Sequence, residues 1–331
     1  MSITGTPAGR ILSGPGLPDK CKPEDADIFV KVNSAEGVSL HISDSSNHWK
    51  ELGSVADTPL ALSALFDKRS TIVGSTLVLS DWPITTLPAG SFNGMSFLTI
   101  LRLHDNNLSS LPSKIFDQLT NLTDLDLYAN NLSTLPAGVF DHNIALASLD
   151  IGANPLITLP AGIFSHNTAL TNLYLYSDQL TSVPNISNLV NLVILDLDTN
   201  ALTTLPSGFL DNQVALRGLN LHDNLFTSFP AGLLANNINL INFSARNLTL
   251  LTTLPPSFFD TNINLSFIDF SNCALDEPSI GNILISLVTA GNSGGSIYFD
   301  TGSNAAHPTW TAPTLAAETT LLGRGWTVTS N

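Results

Sequence analysis

The chain has 331 residues, 43% of them hydrophobic and only 12% charged, with a net charge of −15. That balance disfavours a nucleic-acid backbone or an anionic membrane surface as partner, since either needs clustered Lys and Arg. No apolar stretch approaches the roughly 20 residues that span a bilayer, and "MSITGTPAGRILSGPGLPDK" lacks a basic region followed by an apolar run, so no secretory leader is read.

Length alone suggests two domains. Residues 1–53 have their own texture, Gly- and Pro-rich at first, and hold four of the six lysines (20, 22, 31 and 50). "DIFVKVNSAEGVSLHISDSSNHWKELG" sets two alternating runs around a polar turn, which predicts a β-hairpin. Gly14-Pro15-Gly16-Leu17-Pro18, Asp27-Ile28-Phe29-Val30 and Trp49-Lys50-Glu51-Leu52-Gly53 resemble segments near the start of tailed-bacteriophage fibre and other virion proteins. Ala26 stands where those segments carry Gly. The resemblance implies an anchor, residues 1–53 docking to other virion proteins; the plainer reading is a hairpin that caps the rest of the chain. "SVADTPLALSALFDKRSTIVG" (54–74) predicts a bridging helix.

From Gly74 the chain repeats itself. The pattern L-x-x-L-x-L-x-x-N-x-L-x-x-L-P begins at Leu98, Leu122, Leu146, Leu170, Leu192, Leu216 and Leu240, with weaker copies at Gly74 and Leu265. The steps are 24 residues, except 22 after Leu170 and 25 after Leu240. In "LTDLDLYANNLSTLPAGVF" (122–140), Leu125 and Leu127 alternate with outward residues, which makes a strand with one buried face. One turn cannot bury its own leucines; stacked turns can. Asn106, Asn130, Asn154, Asn200 and Asn224 form a column of amides that both donate and accept, suited to backbone groups each turn leaves unpaired. Trp82, Asp178 and Cys273 depart from it: Asp178 loses the donor, and Cys273 reads as structural. Prolines at 88, 112, 136, 160, 184, 206, 230 and 255 lack an N–H and mark where the chain leaves the sheet. Phe92, Phe116, Phe140 and Phe164, continued by Leu210, Leu234 and Phe259, predict a spine under the convex side.

The recurrence from Gly74 to Leu275 resembles the leucine-rich repeat family. The resemblance implies the α/β class: a right-handed solenoid, or horseshoe, with a concave parallel β-sheet and extended or helical returns on the convex side. Cysteine at the Asn position is a common variant in that family, which suits Cys273. "LPAGVF" is also similar to repeats of secreted vertebrate receptors, but those carry disulfide-bonded caps. Here Cys21 and Cys273 fall at opposite ends of an elongated fold, so no disulfide is expected. The seven N-x-[ST] sequons read as incidental to an Asn/Ser/Thr-rich repeat.

Past the repeats, "EPSIGNILISLVTAG" predicts a helix, "GSIYFDTG" a strand, "APTLAAETTLLGRG" a second helix and "WTVTS" a last strand. The order suits an αβαβ cap over 276–331 laid on the final turn, because a solenoid's end would otherwise expose leucine. "NSGGS" (292–296) has no P-loop lysine after it and reads as a turn. The chain thus divides into an anchoring segment (1–53), a solenoid with its capping helix (54–275) and a carboxy-terminal cap (276–331).

The residues that alternate with buried leucines should face a ligand. Arg102, His104, Asp126, Tyr128, Asp150, Tyr174, Tyr176, Asp196, Asp198, Asn220, His222 and Arg246 are the candidates on this face. All four tyrosines (128, 174, 176 and 298) fall on outward strand positions, whereas of sixteen phenylalanines only Phe267 does. Tyrosine offers contact area with a polar tip, which favours interfaces over mere solvation. Four basic residues occur between Gly74 and Leu275, with Arg102, Arg217 and Arg246 on or beside the face. Asp126 and Asp150 are expected side by side, at roughly 5 Å, where two carboxylates could share a proton or a cation. A working acid–base pair needs a closed pocket and Ca²⁺ needs six to eight oxygens, so neither catalysis nor metal binding is read. His104 and His222 are five turns apart, and C-x-x-C, H-E-x-x-H and G-x-S-x-G do not occur. The expectation is a non-enzymatic binding protein without cofactor. With the amino-terminal resemblance it becomes a phage virion component, a tail fibre or other surface part, whose concave face meets a protein or glycan on a host surface. The rival readings are a bacterial cytoplasmic leucine-rich-repeat protein with a protein partner, and a structural virion decoration without a ligand.

Overall fold

A strand that alternates one buried leucine with two outward residues needs a neighbour on each side for its backbone groups, and a 24-residue period supplies one every turn. The computed structural model describes residues 2–4, 11–13, 28–33, 37–43, 49–54, 75–81 and 84–330. Five strands precede the repeats and form one sheet in chain order: β1 (Ser2–Thr4), β2 (Ile11–Ser13), β3 (Ile28–Asn33), β4 (Gly37–Ser43) and β5 (Trp49–Ser54). β3 and β4 pair antiparallel as the expected hairpin, with Val32 opposite Val38, and β5 adds antiparallel to β4. Gly14 to Pro18, Cys21 and Trp82 lie outside the described residues, as does the helix expected over 54–74 apart from Ser54, which ends β5.

The repeats supply β6 (Thr76–Val78), β7 (Ile100–Arg102), β8 (Asp124–Asp126), β9 (Ser148–Asp150) and β10 (Asn172–Tyr174). They continue with β11 (Ile194–Asp196), β12 (Gly218–Asn220), β13 (Asn242–Ser244) and β14 (Phe267–Asp269). All pair in parallel, and the register stacks Leu101, Leu125, Leu149, Leu173, Leu195 and Leu219 in one buried row. Behind it Phe92, Phe116, Phe140 and Phe164 stack with ring centres 6.0, 6.2 and 6.4 Å apart. The spine then passes through buried Ile186, Leu210 and Leu234 to Phe259.

The carboxy-terminal cap has the predicted order: α1 (Glu277–Ala290), β15 (Gly295–Tyr298), α2 (Ala312–Gly323) and β16 (Trp326–Thr329). α1 begins at Asp276, whose carboxylate accepts the Ser279 N–H, and ends at Gly291 with φ of 82°. The cap lies on the final turn as expected: β15 and β16 extend the same sheet in parallel, to eleven strands. Strand addition at the open edge of β14 satisfies backbone groups that would otherwise be left unpaired.

Polar columns tie the turns. Asn130 donates through Nδ2 to the carbonyls of Leu103 (2.9 Å) and Leu127 (3.0 Å), and its Oδ1 accepts the Leu108 N–H at 3.1 Å. A second column, which the sequence reading missed, runs along the convex side through buried Asn143, Asn167, Asn237, Asn262 and Asn292. Asn143 donates to the carbonyls of Phe116 (2.9 Å) and Leu119 (3.0 Å) in the preceding turn. After the 22-residue step the column residue is Gln213, donating to Ile186 at 2.8 Å and Leu189 at 3.4 Å. Cys273 is buried and donates to the Ala245 carbonyl, with its thiol pushed up to about 12 by burial. Each turn leaves the sheet through a left-handed residue, for instance Asp105, Ala129, Ala153, Ser177, Thr199 and Asp223, none of them glycine.

Candidate functional site on the concave face

Strand pairing decides which outward side chains meet. The register sets Asp126 beside Asp150, Asp150 beside Tyr174, Tyr174 beside Asp196, and Asp196 beside Asn220. A second row, just past the strand ends, carries His104, Tyr128, Gly152, Tyr176, Asp198, His222 and Arg246. Gly152 leaves a gap in it. A Cβ there would sit 2.8 Å from the Tyr176 carbonyl oxygen and 3.1 Å from its ring. The Tyr176 ring therefore closes over Gly152 and reaches Tyr128, two strands away, with ring centres 5.6 Å apart. Tyr174 stands edge-on to Tyr176 at 6.4 Å, so three tyrosines form one half-buried aromatic platform.

Carboxylates edge it. The Tyr176 hydroxyl points to Asp150 Oδ2 at 3.5 Å. Burial, opposed by the Gly152 N–H and reinforced by Asp126, pushes Asp150 up to about 6. Burial and the Asp198 carboxylate push Asp196 up to about 6 as well. Burial also raises Asp126, against the pull of the Tyr128 N–H, His104 and Arg102. Burial raises the Tyr176 phenol, and Asp150 adds to the shift.

The basic candidates are mostly spoken for. Arg102 makes a bidentate pair with Asp124, one contact being 2.6 Å, and its Nε lies 4.0 Å from Asp126. The hydrogen bond to Asp124 raises its pKa further. His104 contacts Asp105 at 2.9 Å and Asp126 at 3.9 Å. His222 sits between Asp198 (3.3 Å) and Asp223 (2.6 Å), and Asn220 Nδ2 donates to Asp198 at 3.0 Å. Arg246 stands apart, exposed and without an ion pair among the described residues. Structure thus gathers Asp126, Tyr128, Asp150, Tyr174, Tyr176 and Asp196 around one platform, flanked by Arg102 and His104. Asp198, Asn220 and His222 form a polar knot that adjoins the platform through Asp196. Among the described residues no three His, Cys, Asp or Glu side chains could hold a metal ion together. No described helix is long and apolar enough to cross a membrane.

A further feature escaped the sequence reading. Between β11 and β14 the face opens into a depression of about 690 Å³, lined among others by Ile194, Arg217, Gly218, Ile241, Asn242 and Phe267. A Cβ on Gly218 would meet only Ile194 Cγ1, at 3.9 Å, so the missing side chain is what leaves the floor open. The signal lay in the residue before each strand. It is Ser75, Thr99, Thr123, Ala147 and Thr171 in the first turns, then Val193, Arg217 and Ile241.

With this geometry in view, comparison with known proteins locates the fold. A family model described as leucine rich repeat matches residues 75–132, 96–156 and 120–180. The fold is that of the leucine-rich-repeat proteins, and the matched repeats lie inside the solenoid. Among solved structures the chain is similar to one in the Toll–Spätzle complex of Drosophila, at 28% identity and a TM-score of 0.52, covering 67% of this chain and 34% of that one. It is also similar to a leucine-rich-repeat protein of Leptospira interrogans, at 21% identity and a TM-score of 0.50, covering 82% and 87%. A third is the ectodomain of a plant membrane receptor kinase from Arabidopsis thaliana in complex with Casparian strip integrity factor 2. There identity is 23%, the TM-score is 0.54, and the match covers 70% and 31%. The chain spans about a third of the Drosophila and Arabidopsis chains. No curated protein matches it.

Proposed function

We propose that the protein is a binding module, not an enzyme, and that its concave face takes a cationic segment of another protein. The observation that carries this is the Tyr128–Tyr176 contact over Gly152, with Tyr174 edge-on and Asp150 and Asp196 alongside. Ring faces attract a Lys or Arg head group and the carboxylates complete its charge, while the rings supply contact area at low entropy cost. The Drosophila and Arabidopsis neighbours are solved with Spätzle and with the integrity factor, which supports a protein as the class of partner.

A library of random dodecapeptides displayed on carrier particles and selected on the full chain tests this. Lys- or Arg-bearing sequences should be enriched, and the Tyr174→Ala, Tyr176→Ala double variant should bind them at least 1 kcal/mol more weakly, on the order of a hot-spot loss. Its melting temperature should stay near that of the parent. Equal binding by the double variant would move the site off the platform.

For the setting we propose a tailed-phage virion, with residues 1–53 as anchor, 54–275 as the recognition solenoid and 276–331 as its cap. The amino-terminal sequence alone supports this, and of its three quoted segments only Ile28–Val30 and Trp49–Gly53 are among the described residues. On that reading a host-surface glycan is the second class of ligand for the same platform. Mass spectrometry of purified particles decides it: absence of the chain there favours the bacterial cytoplasm.

A further inference from the structure

The concave face has two chemically distinct halves. β8 to β11 present tyrosines and carboxylates; β11 to β14 present the apolar depression, where the floor is Ile194, Gly218 and Ile241 and one wall is Phe267, 38% exposed. A concave, mostly apolar depression with a few polar groups at its edge is the form a binding pocket takes.

The polar groups around the depression specify what that is. Arg217 is one of four basic residues between Gly74 and Leu275 in a chain of net charge −15. Unlike Arg102, which Asp124 holds, Arg217 makes no ion pair among the described residues. Its exposed guanidinium beside an apolar floor matches a carboxylate. The exposed Asn242 side chain has no hydrogen-bond partner among the described residues, and an amide both donates and accepts. That is the complement of a peptide backbone passing over the depression.

We propose that the depression between β11 and β14 receives an extended protein segment, with a large apolar side chain over Gly218 and a neighbouring Asp or Glu paired with Arg217. This rests on the reading of the concave face as the binding surface. It adds a second contact of opposite charge preference to the one at the tyrosine platform. The gap at Gly218 sets the specificity: a residue there with a side chain would fill the space that the partner's side chain needs.

The same displayed dodecapeptide library, selected on the full chain, tests it. Enriched sequences should include a class with Leu, Ile, Met or Phe within three residues of Asp or Glu. Gly218→Leu, which fills the depression at little steric cost, should weaken that class at least tenfold. Arg217→Glu should remove its preference for acidic over basic neighbours without removing the apolar residue. Cationic sequences lost in the tyrosine double variant but untouched by Gly218→Leu, with no acidic–apolar class, would overturn this proposal and leave the platform reading standing. An acidic–apolar class indifferent to both Gly218→Leu and Arg217→Glu would place the contact elsewhere and overturn it too. Enrichment of neither class would sink both.

Discussion

Asp178 accepts the backbone N–H of Asn154 at 2.7 Å, where the neighbouring turns would lead one to expect the N–H of Leu156. In those turns the column Asn accepts from the residue two places past its predecessor, as Asn154 does from Leu132. Pro155 alters the turn, and the Leu156 N–H bonds instead to the Asn154 carbonyl at 2.8 Å. Asp178 is left 7% exposed, with Oδ2 lacking a partner. Burial pushes its carboxyl up to about 8.

Asp178→Asn should therefore stabilise the protein in a pH-dependent way. The folded state holds the Asp178 proton to about 8, whereas the unfolded chain releases it near 3.8. Between those values the unfolded state binds fewer protons, so the wild-type loses stability as pH rises and keeps the full contribution only below the lower value. The variant lacks this slope and regains an amide donor, an advantage of about 1–3 kcal/mol at the alkaline end. Thermal melts of both proteins from about pH 4 to about pH 8 check it; parallel curves would show that Asp178 titrates normally.

Stacking should dominate stability. Leu149 is fully buried in β9, between Leu125 and Leu173. Leu149→Ala should cost roughly 2–5 kcal/mol in denaturant unfolding, the transfer loss plus a cavity that flanking turns cannot close. A loss below about 1 kcal/mol would mean the turns relax far more than close-packed interiors do.

Gly152→Ala should both destabilise the fold and spoil the platform. The added methyl has to move backbone at the Tyr176 carbonyl, 2.8 Å away, rather than a flexible side-chain end. Overpacking of this kind costs about 1–3 kcal/mol. Near-ultraviolet circular dichroism should report displaced tyrosines; an unchanged tyrosine signal with unchanged stability would refute the close approach.

Binding of cationic peptides to the platform should strengthen from about pH 5 to about pH 7, as Asp150 and Asp196, both held up to about 6, ionise. Titration calorimetry across that range should show several-fold tighter binding at the upper end. A flat profile would remove those two carboxylates from the contact.

Sequence was most informative where the period forces one residue type into one column. Leu125 and Phe140 recur because each packs on its own copy one turn away, and Asn130 because each turn presents the same backbone groups to it, so their roles could be assigned before any coordinates. Alternation likewise placed Tyr128, Tyr174 and Tyr176 outward. It could not show that Tyr128 and Tyr176 touch across two strands, because that depends on what Gly152 lacks. The depression was hidden for the same reason, at Gly218. The left-handed residues were also illegible. Ala129 and Thr199 carry no sign of φ values of 52° and 50°, since the compensation is tertiary. Their N–H groups bond to the carbonyls of Gly152 and His222 in the next turn. The convex Asn column was overlooked because it sits in segments that read as loop, where asparagine is ordinary.

Gln213 bears on how such a chain could be edited. Its extra methylene lets it reach the carbonyls of the turn that lost two residues, Ile186 and Leu189, where asparagine serves after turns of full length. Repeats are therefore not interchangeable cassettes, even though each looks like the next. A recombinant that moved the short turn without the glutamine one period downstream would strand two buried acceptors at the seam. The heritable unit of exchange is the turn together with its successor as far as Gln213.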